Sequence, residues 1–266
     1  MAGVPRPVPP QIIPRPDNWR VGEPAPWSAL SVGARRNIGL ERVRRALSAV
    51  GQSGSLPEHI GEDRVLGPSM MVKETNTPGV RFINAAVLAL LFEEAGEARL
   101  VFTRRSASLR SHRGEVSFAG GRLDEGEGPQ SAALREAYEE MALDPELVFV
   151  EGWIHPVLTM VSGSLIAPIV ASVERRPDLV ASPAEVERVF DVALCDLADP
   201  EIFHEERWQI PGQAIPGSPD NSFAVWFFEV EGEMIWGATA RMIHELLSVV
   251  LVGDQINDTL KAPKAP

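Results

Sequence analysis

The sequence contains a single cysteine, Cys195, among 266 residues. One thiol cannot close an intrachain disulfide, and it cannot form a cluster of thiolate ligands around a metal within one chain. Cys195 lies between Leu194 and Asp196 in an ordinary stretch of apolar and polar residues, which favours a packed thiol over a nucleophile. Disulfide-stabilised folds and thiolate-metal folds are therefore excluded.

Long apolar runs are also missing. The longest, around Ala85 to Phe92, is too short to cross a bilayer. Prolines occupy the N-terminal segment, where a secretory signal needs apolar residues. We therefore expect no membrane association and a cytoplasmic location.

Positive charge is scarce, since the formal net charge is -12 at pH 7. Nonspecific binding to nucleic acid or to an anionic membrane requires basic surface that displaces counterions. We therefore expect neither partner. A phosphorylated substrate would require local cations, supplied by clustered arginines or by bound metal.

The first 80 residues have little of the pattern of a compact domain. Residues 1 to about 28 are rich in proline and are expected to form an extended arm. Between residues 34 and 50, Leu40, Val43 and Leu47 recur at helical spacing and predict an amphipathic helix. Its apolar face would fold back on the domain or form a homodimer contact. A long loop follows from Gly51 to Gly79.

A compact domain is predicted over residues 81–255, followed by a tail over residues 256–266. Helices are expected after Pro129, ending before Pro145, and over residues 238–252. A hairpin is expected around residues 93–97. Strands interleaved with these helices indicate an α/β fold with a mixed sheet. The predicted strands cover residues 83–92, 98–103, 148–154, 165–173, 186–192 and 223–230.

Three glutamates follow Pro129 at helical spacing. Glu136, Glu139 and Glu140 are at positions i, i+3 and i+4, so their side chains share one face of the predicted helix. Such a face suits a hard cation such as Mg²⁺ or Mn²⁺, although for the three glutamates alone a solvated acidic helix is the simpler interpretation. A salt bridge between Arg135 and Glu127 would tie the preceding loop to this helix.

The wider spacing resembles a known motif. Gly121, Glu127, Arg135-Glu136, Glu139-Glu140 and Leu143 match the Nudix box, G-x5-E-x7-R-E-U-x-E-E-x-G-U, in which U is apolar. The resemblance implies the Nudix fold, an α/β/α sandwich with a mixed β-sheet. It also implies metal ligation by Glu136, Glu139 and Glu140, with catalytic support from Glu127 and Arg135. The late glycine of the box is Ala142 here; if this position requires a positive φ, the helix end would shift.

The segment from Leu100 to Gly121 resembles the extension found in the coenzyme A pyrophosphatases of this superfamily. Phe102 and Ala119 depart from that pattern, the latter replacing a proline. The resemblance implies that Arg105, Arg110, His112, Gly120 and Gly121 bind substrate. Without it, the arginines would be interpreted as a surface patch, and the glycines would suit either a phosphate contact or a tight turn. The matching residues are Leu100, Thr103, Arg105, Ser106, Arg110, Gly114, Phe118, Gly120 and Gly121.

The function that this resemblance implies is metal-dependent hydrolysis of coenzyme A or acyl-coenzyme A to 3′,5′-ADP and the (acyl) phosphopantetheine. Two alternatives remain open: a Nudix hydrolase of another nucleoside diphosphate, such as ADP-ribose or a dinucleotide, and a catalytically weak Nudix-fold binding protein. Glu185 and Glu187 are candidates for an additional general base from a distant loop, against the simpler interpretation of solvated carboxylates.

Overall fold

The structure is a computed structural model, and it describes residues 11–56, 83–109, 112–159, 164–209, 218–230 and 232–261. Side chains are described up to residue 253. Several predicted features lie outside these ranges: the arm before residue 11, most of the loop to Gly79, Arg110, and the tail from residue 262.

The described residues form strands and helices in the following order. The strands are β1 (Arg20–Val21), β2 (Ala85–Glu94), β3 (Glu97–Arg105), β4 (Val116–Ser117), β5 (Ala119–Arg122), β6 (Phe149–Trp153), β7 (Val157–Leu158), β8 (Leu165–Ser172), β9 (Val186–Ala193), β10 (Phe203–Trp208), β11 (Phe223–Val230) and β12 (Glu233–Trp236). The helices are α1 (Leu40–Ala49), α2 (Pro129–Met141), α3 (Leu194–Leu197) and α4 (Gly237–Lys261).

A mixed sheet forms the centre of the fold, as predicted. Its strands follow the order β4-β3-β2-β8-β6, with β5 also paired to β2, β7 to β8 and β9 to β3. Strands β2 and β8 are parallel, whereas the other pairs are antiparallel. The predicted hairpin joins β2 to β3 through Ala95 and Gly96, which both have positive φ. Two such residues give the local twist that a tight hairpin requires.

Helices cover both faces of the central sheet, which confirms the predicted α/β/α arrangement. On one face, α2 packs its small residues against β2 and β8, and this close fit depends on their lack of bulk. On the other face, α1 and α4 share a large apolar core with the sheet. The residues of α2 that enter the core are Ala132, Ala133, Ala137 and Met141.

The predicted amphipathic helix folds back on the domain, which decides between the alternatives for its apolar face. Leu40, Val43 and Leu47 are all buried in the same core as α4. The start of α1 is held by Glu93, whose carboxylate accepts a 2.8 Å hydrogen bond from the backbone N–H of Leu40. Anions at this end of a helix satisfy exposed N–H groups and complement the helix dipole.

A second sheet was not predicted. It is antiparallel, with the order β1-β10-β11-β12, and α4 packs against its inner face. Strand β10 was overlooked because its sequence, FHEERW, places two glutamates at positions that are buried in the fold. We name the four strands β1, β10, β11 and β12 the second sheet.

Two element boundaries also differ from the prediction. Residues 119–122 were interpreted as part of a glycine-punctuated loop, but they form β5. Gly120 has no side chain, so this strand can approach β2 closely enough to pair with it. Helix α4 continues past Gly253, because one helical glycine costs only about 1 kcal/mol. Within the described part of the chain, no helix has both the length and the apolar character needed to cross a membrane.

Candidate active site

The three glutamates of α2 lie in different environments. Glu140 is almost fully buried, with 2% of its side chain exposed, whereas Glu139 is 55% exposed. Glu136 lies between these extremes. Burial raises the pKa of Glu136, although Arg135 opposes the effect. The burial of the three side chains therefore increases from Glu139 through Glu136 to Glu140.

Arg135 organises the entrance to this helix. Its guanidinium donates to both carboxylate oxygens of Glu127, at 3.0 and 3.1 Å, so the predicted salt bridge is present. The same group donates to Glu136 at 2.9 Å and to the backbone carbonyl of Arg122 at 3.1 Å. The hydrogen bonds from Arg135 and from the backbone of Asp124 lower the pKa of Glu127. Arg135 thus joins β5, the loop and the helix.

The paired glycines of β5 provide space. A Cβ atom on Gly121 would lie 2.3 Å from Oε1 of Glu136, and one on Gly120 would lie 2.3 Å from the backbone carbonyl oxygen of Ala86. Both distances are far below van der Waals contact. Neither glycine has a positive φ, so a tight turn does not explain them. They allow the strand to approach α2 and β2 closely.

Glu140 is the unusual group in the site. Its Oε2 is buried without a hydrogen-bond partner among the described residues, and Oε1 lies 3.5 Å from Nη1 of Arg105. Burial raises the pKa of Glu140 to about 7, and the charges of Glu136 and Glu185 add to the effect, whereas Arg105 opposes it. A buried carboxylate oxygen without a partner is costly unless something binds it.

The donor set of this face suits a hard cation. No three His, Cys, Asp or Glu side chains of the described residues converge into a ready metal site, and Arg135 donates hydrogen bonds to both Glu136 and Glu139. The unsatisfied Oε2 of Glu140 and the neighbouring carboxylate of Glu136 nevertheless supply the kind of oxygen ligand that Mg²⁺ and Mn²⁺ prefer.

The raised pKa of Glu140 predicts how the metal-free protein responds to pH. An unfolded glutamate titrates near about 4.3, so the folded state binds the proton more tightly. The free energy of unfolding is then highest below about pH 4.3, falls as pH rises through about 7, and levels off above it. Glu140→Gln removes this loss. We expect the melting temperature of Glu140→Gln relative to the native chain, measured in EDTA, to rise between pH 5 and pH 8. A constant difference would contradict the burial of a titrating carboxylate.

Ala142 ends α2 in the left-handed conformation that the box glycine suggests. Its φ and ψ are 55° and 31°, and its N–H donates to the carbonyl of Tyr138 at 2.9 Å. This bond satisfies one of the last carbonyls of the helix. The helix therefore ends where a glycine would end it, and Glu140 keeps its place in the last turn.

Ala142→Gly is expected to stabilise the protein by about 1 kcal/mol, because glycine adopts left-handed backbone without the clash of a Cβ atom. The melting temperature should rise by about 2–4 °C. Ala137→Gly is the matched control: this position is helical and buried, so the same change should destabilise. If Ala142→Gly lowered the melting temperature, the packing of the alanine methyl group would contribute more stability than the positive φ costs.

Among the described cationic residues that were predicted to bind substrate, Arg105 is the one that contacts a glutamate of α2, Glu140. His112 pairs instead with Glu115 at 2.8 Å, in an exposed loop where His112 has a positive φ. Arg110 lies outside the described residues. Arg104 points to the opposite face of β3, where it forms a buried ion pair with Glu233. Adjacent residues of a strand point to opposite faces of the sheet, so these two neighbouring arginines serve different sites.

Two downstream carboxylates differ in their surroundings. Glu185 is exposed at the start of β9, and its charge raises the pKa of both Glu136 and Glu140. Its carbonyl accepts a 2.7 Å hydrogen bond from the backbone N–H of Ser106, which follows Arg105. Glu187 instead lies 3.5 Å from Nε of Arg104. Glu185 is therefore the distant carboxylate beside the glutamates of α2.

Sequence reasoning missed the backbone groups that fix the site. The carbonyl of Glu140 accepts from the N–H of Ser182 at 2.9 Å, and that of Met141 accepts from Val180 at 3.0 Å. These bonds hold the segment before β9 against the end of α2. Side-chain patterns do not predict backbone hydrogen bonds between two segments so far apart in the sequence.

Comparison with known proteins agrees with this geometry. The family model of the NUDIX domain matches residues 83–211. The chain is 36% identical over 154 residues to an uncharacterised Nudix hydrolase, NudL, of Photorhabdus laumondii, which covers 58% of this chain and 78% of that protein. It is 37% identical to NudL of Cronobacter sakazakii, over 56% of this chain and 74% of that protein.

A more distant relative agrees. Nudix hydrolase 3 of Caenorhabditis elegans is 30% identical over 176 residues, which cover 62% of this chain and 72% of that protein. The matched region contains the central sheet, α2 and the loop that joins them. The chain belongs to the Nudix hydrolases and is a hydrolase that acts on pyrophosphate bonds.

Proposed function

We propose that this enzyme hydrolyses the diphosphate of coenzyme A or an acyl-coenzyme A, with Mg²⁺ or Mn²⁺, to 3′,5′-ADP and the (acyl) phosphopantetheine. The observation that carries the proposal is the contact between Arg105 and Glu140. Arg105 comes from the segment that resembles the coenzyme A pyrophosphatases, and its Nη1 lies 3.5 Å from Oε1 of Glu140 in the Nudix box.

Glu136, Glu139 and Glu140 would hold the cation, and Arg135 with Glu127 would hold the helix and the loop in register. The bound cation neutralises diphosphate charge, lowers the pKa of a water and stabilises the leaving phosphate. Glu140 is suited to this role because its Oε2 is buried without a hydrogen-bond partner. The desolvation of its charge is offset when a cation shares the site.

Arg105 would bind a phosphate oxygen of the substrate. Its side chain is partly buried, and its Nε–H has no hydrogen-bond partner. A guanidinium in this position recognises the paired oxygens of a phosphate. In an enzyme with a net charge of -12, such a local cation offsets repulsion of the polyanionic substrate.

Glu185 would take the proton of the attacking water. Its exposed side chain leaves room for solvent, and its charge acts on Glu136 and Glu140. A carboxylate that is not itself committed to the cation is available as a general base. Glu187 is less suited, because Arg104 lies 3.5 Å from its carboxylate.

Substrate profiling tests the proposal. We expect coenzyme A and acetyl-coenzyme A to be hydrolysed faster than ADP-ribose or diadenosine polyphosphates in Mg²⁺ or Mn²⁺, with 3′,5′-ADP identified by mass spectrometry. Dephospho-coenzyme A is the matched substrate, because it lacks only the 3′-phosphate. Arg105→Gln should raise KM for coenzyme A by about tenfold or more, since a charge-assisted hydrogen bond contributes about 1.5–3 kcal/mol.

One result would overturn the substrate assignment and leave the family intact: turnover of ADP-ribose as fast as, or faster than, that of coenzyme A. Absence of any metal-dependent hydrolysis across this set would indicate a binding protein with the Nudix fold.

A further inference from the structure

The outer face of the second sheet, opposite to α4, carries an apolar cluster of its own. Trp208, Val225 and Phe227 are buried there, separate from the two clusters that flank the central sheet. Residues 11–21, which we name the N-terminal strap, cover this face, and Ile13 of the strap packs against the cluster. The strap includes β1, which pairs with β10.

A buried carboxylate lies at the centre of this face. Glu206 is 1% exposed, and its Oε2 accepts a 2.7 Å hydrogen bond from Nε1 of Trp208. Its Oε1 lies 2.6 Å from Nη2 of Arg15 and 3.3 Å from Nε2 of His204. A charge at this depth requires a counter-ion. The strap supplies it through Arg15.

Aromatic rings complete the surroundings of this guanidinium. Arg15 lies 5.6 Å from the ring centroid of Phe227 and 4.8 Å from that of Trp19. The ring of His204 stacks on Phe227, with centroids 4.6 Å apart and planes 4° apart, and so fixes the orientation of that ring. Aromatic faces beside a buried carboxylate are the combination that selects a guanidinium over an ammonium ion.

The strap is held by few other contacts. Strand β1 contributes two paired residues, and Ile12 and Val21 are exposed. Two other side-chain contacts of the strap are on the surface: Nδ2 of Asn18 donates a 2.9 Å hydrogen bond to Oε1 of Gln209, and Arg20 pairs with Asp220 at 2.5 Å. Exposed contacts of this kind contribute little. Apart from the pair of Arg15 with Glu206, the strap makes few buried contacts with the described residues, so this pair contributes most of the free energy that keeps the strap closed. Glu206, His204, Phe227 and Trp208 belong to β10 and β11 and not to the strap.

We propose that these four residues of the second sheet form a guanidinium-binding site. The chain fills this site in cis with Arg15, and the site binds an arginine side chain in trans when the strap is displaced. This site lies on a different sheet from the glutamates of α2, so the proposal does not depend on which diphosphate the enzyme hydrolyses.

Chemical rescue of Arg15→Ala in the full-length chain tests the site, with methylguanidinium as the probe. The variant should melt several degrees below the native chain, because Glu206 loses its counter-ion. Methylguanidinium at about 50 mM should then raise its melting temperature by about 2 °C or more, and methylammonium at the same concentration should not. Arg20→Ala is the matched control, because it removes an arginine of the same strap that contacts no aromatic ring in the described residues.

A second variant separates binding from a general effect of the probe. In the double variant Arg15→Ala with Glu206→Gln, the rescue should disappear, because the buried charge that attracts the probe is gone. The proposal is overturned if Arg15→Ala is as stable as the native chain, or if methylguanidinium shifts it no more than it shifts Arg20→Ala.

Discussion

Glu140→Gln is expected to lower kcat/KM for the diphosphate substrate by about 10³-fold or more, with the fold intact. Cation binding is worth several kcal/mol of transition-state stabilisation, and Glu140 supplies the buried oxygen that has no other partner. The amide keeps the shape of the side chain and removes its charge. Steady-state kinetics across a range of Mg²⁺ and Mn²⁺ concentrations measure the effect.

A second measurement and a control variant test whether Glu140 acts through the cation. Metal-induced stabilisation of the native chain, measured as a rise in melting temperature, should be lost in Glu140→Gln. Glu146→Gln is the control, because this glutamate is exposed beyond the end of α2; it should retain full activity and the full response to metal. Retention of more than a tenth of native activity by Glu140→Gln would mean that the buried carboxylate does not hold a catalytic ion.

Glu233→Ala is expected to destabilise the protein by about 3–5 kcal/mol, which is the usual cost of removing one partner of a buried ion pair. Glu233 on β12 pairs with Arg104 on β3, and both side chains are over 90% buried. Arg104 also lies directly opposite Arg188 across β3 and β9. Like charges in such positions repel each other unless a carboxylate lies between them. The melting temperature should fall by about 10 °C.

The double variant Arg104→Met with Glu233→Met distinguishes charge from packing. It should recover most of the stability, because a buried ion pair can be replaced by apolar side chains of similar volume. Arg188→Gln is the surface control: Nη1 of Arg188 lies 3.7 Å from Glu233 and its side chain is 46% exposed, so the change should cost about 1 kcal/mol or less. If Glu233→Ala were as mild as Arg188→Gln, the pair would not connect the two sheets energetically.

Local patterns predicted the elements that depend on local chemistry. Pro129 and the alanines that follow it fix α2, and the spacing of Leu40, Val43 and Leu47 fixes α1. Strand β11 has the predicted limits, Phe223–Val230. These elements are specified by periodicity and by residues that begin or end them, which are properties of neighbouring residues.

The second sheet was not predictable in this way. Strand β10 contains Glu205 and Glu206, which are buried, and a polar strand is recognised only when its partners are known. Glu206 is compensated by Arg15, from a segment 191 residues earlier. The alternation of apolar and polar residues that would identify β10 as a strand is interrupted by charged residues, and their counter-ions are distant in sequence.

The sequence by itself determined the family motif, because the spacing from Gly121 to Leu143 is a property of one turn and one helix. It also indicated which carboxylates and arginines are candidates for the site. Tertiary structure decided how they differ. Glu140 is buried while Glu139 is exposed, and Arg105 faces α2 while Arg104 turns to Glu233. The burial and the ion-pair partner of each side chain depend on the residues that pack against it, and those residues come from other parts of the chain.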